Sequence, residues 1–247
     1  MISDPVIIVA ILIAFALGGI LKGATGAGAP IVTIPVIAAF YDVRIAVIIM
    51  VIPNLLTNIG QLYQYRKTIL SSFFTISFAL GGGIGAFLGT ILLVNLPIKI
   101  LTLSVACLVI IYILLKLAVP SWKLNYTKAK KLVFLMGTGG GILQGSAGLS
   151  APISITFLNS MKLERNQFIP TISVYFGIMS VFQMPTLYYY NFLNLETIIV
   201  SCVCTIVLMA FMPFGSWIAK SVSKESFDKI TLILLGLIAL RIIYLNF

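Results

Sequence analysis

Long apolar runs alternate with short polar stretches along the whole chain. Apolar segments cover residues 5–21, 30–40, 45–63, 70–94, 98–119, 132–143, 150–160, 167–188, 195–219 and 227–245. Several reach the roughly 20 residues that a helix needs to cross a bilayer core of about 30 Å. The alternating ten-residue strands of an outer-membrane barrel are absent from the pattern. The expected fold class is therefore all-α and polytopic. Segments 30–40, 132–143 and 150–160 are too short to span untilted, and they flank two Gly-rich interruptions.

These interruptions are copies of each other. Residues 18–31 read GGILKGATGAGAPI and residues 140–153 read GGILQGSAGLSAPI, with nine of fourteen positions identical at an offset of 122. The offset also pairs Asp42 with Glu164 and Gln61 with Gln183. After a longer loop near 188–196 it becomes 126, pairing Gly89 with Gly215. A duplicated core with broken helices is a common architecture of secondary transporters. We expect a first repeat at 1–119, a linker at 120–131 and a second repeat at 132–247, together forming one membrane domain.

Charge orients the segments. Lys123, Lys128, Lys130 and Lys131 mark the 120–131 loop as cytoplasmic by the positive-inside bias. If each interruption is a re-entrant hairpin, Arg66, Lys67, Lys162, Arg165, Lys220, Lys224 and Lys229 fall on that same side. Arg44, Lys99 and Arg241 then lie on or near the other side. A single crossing at the second interruption would send the basic loops of the second half outside, so the hairpin is preferred. Each half then holds a hairpin and three spanning helices. That odd number inverts the second half and puts both termini outside. The first 21 residues lack the basic start of a signal peptide, and their GGIL element recurs at 140, so they are read as part of the fold.

The net charge of +10 is assigned to this topology and not to nucleic acid. Mean hydropathy is +1.15, 9% of residues are charged and there is no His. Every acid (Asp4, Asp42, Glu164, Glu196, Glu225, Asp228) falls in a predicted loop or helix end, which disfavours a carboxylate proton relay and enzymatic acid–base chemistry. Cys107, Cys202 and Cys204 imply no metal site or disulfide framework. No cofactor is implied.

The candidate chemistry lies at the interruptions. Pro30 and Pro152 suit the first turn of a following helix. The free N–H groups of two such helix starts are expected to converge on one anion near the midplane. Lys22, Gly23, Thr25, Gly26 and Gly28 form the first candidate cluster, and Gln144, Gly145, Ser146, Gly148 and Ser150 the second. Lys22 either snorkels to a membrane face or lines a cavity. Asn54, Thr57, Asn58 and Gln61 share a stripe on one helix, and Ser173, Tyr175, Ser180 and Gln183 lie on its counterpart. Cavity lining and interhelical hydrogen bonding both remain open for them, and Asn54, Asn58, Gln61 and Gln183 are substrate-binding candidates. Gly81, Gly85 and Gly89 read as a packing ridge, and Tyr188, Tyr189 and Tyr190 as an interfacial belt.

In GATGAGAPIVTIPV (23–36), its echo GSAGLSAPISITF (145–157) and GGGIGAFLG (81–89), the chain resembles the TauE/SafE family of membrane permeases, described as sulfite or organosulfonate exporters. The resemblance covers essentially the whole chain. It implies export of sulfite, sulfoacetate or a related small sulfur-containing anion across a cell membrane. Gly26-Ala27-Gly28-Ala29 stands where the familiar form of the first interruption has a Gly-Gly-Gly run, and the second interruption reads Gly148-Leu149-Ser150-Ala151. Expected partners are a small anion and the lipid bilayer. A coupling ion (proton or sodium) and a homodimer are left open, and an anion-conducting channel on the same fold is the alternative.

Overall fold

A computed structural model describes residues 5–118, 123–221 and 224–246. In chain order the helices are α1 (Pro5–Thr25), α2 (Ala29–Phe40), α3 (Val43–Tyr65), α4 (Ser72–Asn95), α5 (Ile98–Ala118), α6 (Tyr126–Ala147), α7 (Ser154–Ser160), α8 (Arg165–Tyr189), α9 (Leu195–Ser221) and α10 (Lys224–Asn246), with a 3-10 turn at Arg66–Thr68. Asp4 and the first residues of the 120–131 loop lie outside the described residues, as do the side chains of Lys224, Glu225 and Asp228. Among the described residues there is no strand. Among the described residues six helices, α1, α3, α4, α5, α8 and α9, are long and apolar enough to cross a membrane. A helix satisfies its own backbone in a medium that offers no water, so the all-α polytopic fold follows from the composition.

Caps place several helix starts. Asp42, Ser71 and Asn125 accept the backbone N–H of Arg44 at 2.8 Å, Phe74 at 3.5 Å and Thr127 at 3.0 Å, filling orphan donors of the first turn. The Asn125 cap starts α6 at Tyr126, well before the apolar run at 132, so its first turns are basic. The helix expected from 150 is instead delayed to Ser154. The Ser150 carbonyl accepts from both Ile153 (3.0 Å) and Ser154 (2.8 Å), tightening residues 150–153 into a turn.

Both interruptions reverse the chain. Thr33 Oγ1 on α2 donates to the Ala14 carbonyl on α1 (3.3 Å), and a Cβ on Gly18 would fall 3.2 Å from the Ala29 carbonyl oxygen. Contacts climbing α1 thus descend α2. In the second copy a Cβ on Gly140 would meet Ser154 Cβ at 3.2 Å, and Leu124 N–H donates to the Ser160 carbonyl at 2.8 Å. The last bond brings the end of α7 back to the start of α6, which a single crossing could not do.

The basic loops gather accordingly. Thr68 Oγ1 donates to the Asn166 carbonyl, and Ser71 Oγ lies 2.7 Å from Tyr126 Oη. Residues 66–71, 123–126 and 160–166 therefore share one end of the molecule. At the other end Arg44 donates to the carbonyls of Leu93 and Leu96, and the Arg241 guanidinium lies 3.7 Å from the Phe40 ring centroid.

Helix packing repeats between the halves. Cβ atoms on Gly141, Gly145 and Gly89 would fall 2.2, 2.3 and 2.2 Å from the carbonyl oxygens of Gly82, Ala86 and Ile142. At their sequence equivalents, Gly19, Gly23 and Gly215, the corresponding distances are 2.4, 2.0 and 2.0 Å, to Leu208, Met212 and Ile20. Each glycine clears a groove in which backbones touch, and the α4–α6 contact recurs as α9–α1. The paired helices α3 and α8 run antiparallel: Asn54 meets Ser180 and Gln61 meets Ser173. Large apolar side chains such as Val6, Ile206, Trp217, Leu237 and Tyr244 remain exposed around the outside, where lipid would cover them. Tyr188 and Tyr189 are exposed at the end of α8, and they suit an interfacial belt.

Candidate functional site

A polar centre sits where α3 and α8 cross. Lys22 is 1% exposed, and its ammonium donates to Asn58 Oδ1 at 2.9 Å. Asn58 is held in that orientation because its Nδ2 donates to the Asn54 carbonyl (2.6 Å) and Asn54 Oδ1 (3.0 Å). Asn54 Nδ2 in turn donates to Ser180 Oγ (3.2 Å) on α8. The chain runs from α1 through α3 to α8, ending on a residue of the other half. Insertion scales put a central membrane Lys at roughly 2.5–3.5 kcal/mol. Burial removes the option of snorkelling, and the hydrogen-bond partner of Lys22 is a neutral amide.

From the second half, Gln144 and Gly148 join Asn54 and Gln183 around a narrow gap without room for a water molecule. Gln144 Oε1 accepts from Ser150 N–H (3.3 Å), folding its amide over the turn. Gln183 Nε2 is buried without a hydrogen-bond partner, as is Thr186 Oγ1 one turn further along α8. A native structure seldom leaves such donors idle, and an idle one costs about 1–3 kcal/mol. Gln61, the equivalent of Gln183, accepts from Ser173 Oγ at 3.4 Å.

The interruptions themselves depart from expectation. Gly26 (φ +83°) packs on Ile169 of α8, while Gly148 (φ +72°) packs on Ile34 and Val47. Both positions need the left-handed backbone that glycine adopts without strain. Ile169 and Val47 lie on opposite sides of the α3–α8 crossing, each about 13 Å along its helix at 1.5 Å per residue. The two interruptions therefore do not converge on one ligand. Of the residues one turn before each, Lys22 bonds Asn58 and Gln144 borders the gap beside Asn54.

Several of the backbone amides at the interruptions are engaged within the chain. In the second interruption Ser150, Ile153 and Ser154 N–H groups are all engaged within the chain. In the first, Gly26 N–H donates to the Lys22 carbonyl (2.7 Å) and Ile31 N–H to the Gly28 carbonyl (3.0 Å). The hydroxyls are also turned inward. Thr25 donates to Leu21 and Ala27 carbonyls, Ser146 to Ile142, and Ser150 accepts from Ser154. Gly23 and Gly145 serve the helix grooves described above. Among the buried side-chain donors around the gap, Gln183 Nε2 is without a partner.

Sequence reasoning missed one neighbour. Arg165 Nη2 donates to the Gly23 carbonyl at 3.1 Å, and Ser216 Oγ donates to the same atom at 3.0 Å. Helix ends leave carbonyls unpaired, and here the two donors supply one near the end of α1. Next to them lies a cavity of about 380 Å³ reaching Leu21, Ala24 and Thr25 on one side and Lys116 and Arg165 on the other. Its signal in the sequence was merely a topological arginine. Cys107 and Cys202 are exposed, Cys204 is buried, and all three are free. Among the described residues no cluster of His, Cys, Asp or Glu could hold a metal.

Paired broken hairpins around a buried cationic and amide centre define a helical membrane protein of the transporter class. Residues 10–242 match the family model described as Sulfite exporter TauE/SafE, and the chain belongs to that family of membrane transporters. No curated protein and no solved structure matches it.

Proposed function

We propose that this protein is a secondary transporter that exports a small sulfur-containing anion, of the sulfite or organosulfonate class, by alternating access. In this reading residues 1–119 and 132–247 are inverted repeats rocking about the α3–α8 crossing. The loop 120–131 is cytoplasmic, and both termini lie outside. The observation that carries it is Lys22: a buried ammonium whose partner is the Asn58 amide, which bonds Asn54 at the gap holding the unpartnered Gln183 amide. An oxyanion at this centre would neutralise the first and engage the second, and charge-assisted hydrogen bonds are roughly twice as strong as neutral ones.

Two further features support the reading. The recurrence of the α4–α6 contact in α9–α1, with α3 antiparallel to α8, is what a two-fold axis perpendicular to the helices produces. The narrow gap at Gln144 and Gln183 is too small for a permanently open pore, so a solute needs the walls to move. With the inside negative, outward movement of one negative charge gains about 2.3 kcal/mol per 100 mV.

The test is outward sulfite flux from proteoliposomes holding the purified protein. Saturation at a low turnover, with loss in Lys22→Gln, supports a carrier. Ohmic single-channel currents would establish a channel instead. Thermal shift with sulfite, sulfate, taurine and sulfoacetate ranks the anions, since a ligand that binds the folded form raises its stability.

A further inference from the structure

The pseudo-two-fold between the halves pairs contacts as well as residues. Gly26 packs on Ile169 on one side of the crossing, and Gly148 packs on Val47 on the other. The offset of 122 carries the first pair onto the second. The same offset carries the Gln61–Ser173 hydrogen bond (3.4 Å) onto Gln183 and Val51. Both of these border the narrow gap. Val51 is 3% exposed, and its side chain has no atom that accepts or donates a hydrogen bond. A hydroxyl therefore meets the glutamine amide on one side of the axis, and a branched hydrocarbon stands in its place on the other. That replacement accounts for the idle Gln183 Nε2. The neighbouring position differs too: Asn54 borders the gap, and its equivalent Phe176 is a buried ring.

We propose that Val51 is a positioning residue of the anion site: it keeps the Gln183 amide free for the solute by withholding the hydroxyl that its two-fold equivalent, Ser173, supplies to Gln61. The inference rests on the transport reading above and adds a residue to it. Duplication on its own would give two equivalent amides. Ser173 engages one of them, and Val51 leaves the other without a partner. A buried donor in that state costs free energy, and exchanging one methyl for a hydroxyl at position 51 would remove the cost. Threonine suits the exchange because it branches at Cβ as valine does. Thr57, on the same helix, donates its hydroxyl to the Pro53 carbonyl four residues back at 2.6 Å. The hydroxyl introduced by Val51→Thr would donate likewise to the Val47 carbonyl, and its oxygen lone pairs would remain to accept from Gln183 Nε2. The apolar residue at 51 thus lowers the stability of the empty protein, and the loss is recovered when an oxyanion takes the donor.

The experiment is a double-mutant cycle on the purified protein, with Val51→Thr and Gln183→Leu made singly and together. It reads the melting temperature without ligand and the sulfite affinity from ligand-induced thermal shift. In an otherwise wild-type chain Val51→Thr is expected to raise the melting temperature by about 2–4 °C and to weaken sulfite binding by about fivefold to tenfold. A hydroxyl placed among apolar groups ordinarily destabilises. In the Gln183→Leu background the same substitution should therefore lower the melting temperature, and it should weaken sulfite no further. That reversal of sign is a coupling between the two positions, which a packing role for Val51 would not give. A fall in melting temperature with Val51→Thr in both backgrounds, or an unchanged sulfite affinity in the single variant, overturns the inference. Should Val51→Thr not be recovered as a monodisperse protein, Val51→Ser, which carries the residue type found at 173, decides the matter by the same affinity readout. Failure of the transport reading is separate. Wild-type protein would then show no sulfite-induced shift, and the positioning role would fall with the site it serves, whereas the sign reversal in melting temperature would persist.

Discussion

The ammonium of Lys22 and the carboxamide oxygen of Asn58, thirty-six residues apart in the chain, are 2.9 Å apart in the fold. Asn58 cannot turn away without losing its bonds to Asn54. The lysine is therefore held in place by a group that does not cancel its charge. Replacing Asn58 with Asp would supply a carboxylate where the amide oxygen now sits, and a solute anion would have to compete with it. Asn58→Asp is expected to lower anion affinity at least about tenfold while leaving the protein folded, because breaking or adding one charge-assisted bond is worth about 1.5–3 kcal/mol. Ligand-induced thermal shift checks it, and an unchanged shift would remove Lys22 from the binding site.

Gln183 gives a prediction with two signs. Its Nε2 is buried and idle, so Gln183→Leu should raise the melting temperature of the empty protein by relieving roughly 1–3 kcal/mol of unpaired desolvation. The same change should weaken anion binding, because the idle donor is the one a solute would use. Stabilisation without loss of affinity would make Gln183 a packing defect and nothing more.

The duplication was legible because identical glycines at offsets of 122 and 126 have one job in both halves, which is to let Gly19, Gly23 and Gly215 repeat the contacts of Gly141, Gly145 and Gly89. The all-α class followed from run lengths, and the hairpins from where the lysines fell. The placement of the site was less legible. A Gly-rich interruption displays its amides in the sequence, but whether they are free depends on the tertiary turn, and Ser150, Ile153 and Ser154 spend theirs locally. The Asn54 stripe was visible, yet which of its members would meet Lys22 depends on the α1–α3 register, to which no periodicity speaks. Arg165 looked like a loop charge because its partner, the Gly23 carbonyl, is a backbone atom far away in sequence.

Packing glycines and conformational glycines should separate by experiment. A Cβ on Gly145 would lie 2.3 Å from the Ala86 carbonyl oxygen, so Gly145→Val forces α4 and α6 apart at a cost typical of overpacking, about 1–3 kcal/mol. Gly148→Ala pays for its left-handed backbone, about 1–2 kcal/mol, and presses on Ile34 and Val47 at 2.9 and 3.0 Å. Both should lower the melting temperature. Only Gly148→Ala should also slow transport in the protein that remains folded, since residue 148 borders the gap at Gln144 and Gln183. Equal turnover per folded molecule in the two variants would assign both glycines to packing.

The membrane orientation of the halves admits a direct measurement. Leu124 bonded to Ser160 and Thr68 bonded to Asn166 tie the basic loops into one end, while Arg44 on the Leu93 and Leu96 carbonyls ties the loop before Lys99 to the other. In a background with Cys107, Cys202 and Cys204 replaced by alanine, single cysteines at Lys123, Glu164 and Lys99 report the two ends. An impermeant maleimide applied to intact cells should label the Lys99→Cys protein, and label Lys123→Cys and Glu164→Cys only after the membrane is opened. Exchange of all three signals would invert the protein without harming the pseudo-two-fold. Labelling of Lys99→Cys and Glu164→Cys from one common side would mean that the antiparallel pairing of Asn54 with Ser180 does not span the bilayer, and the carrier reading would lose its geometry.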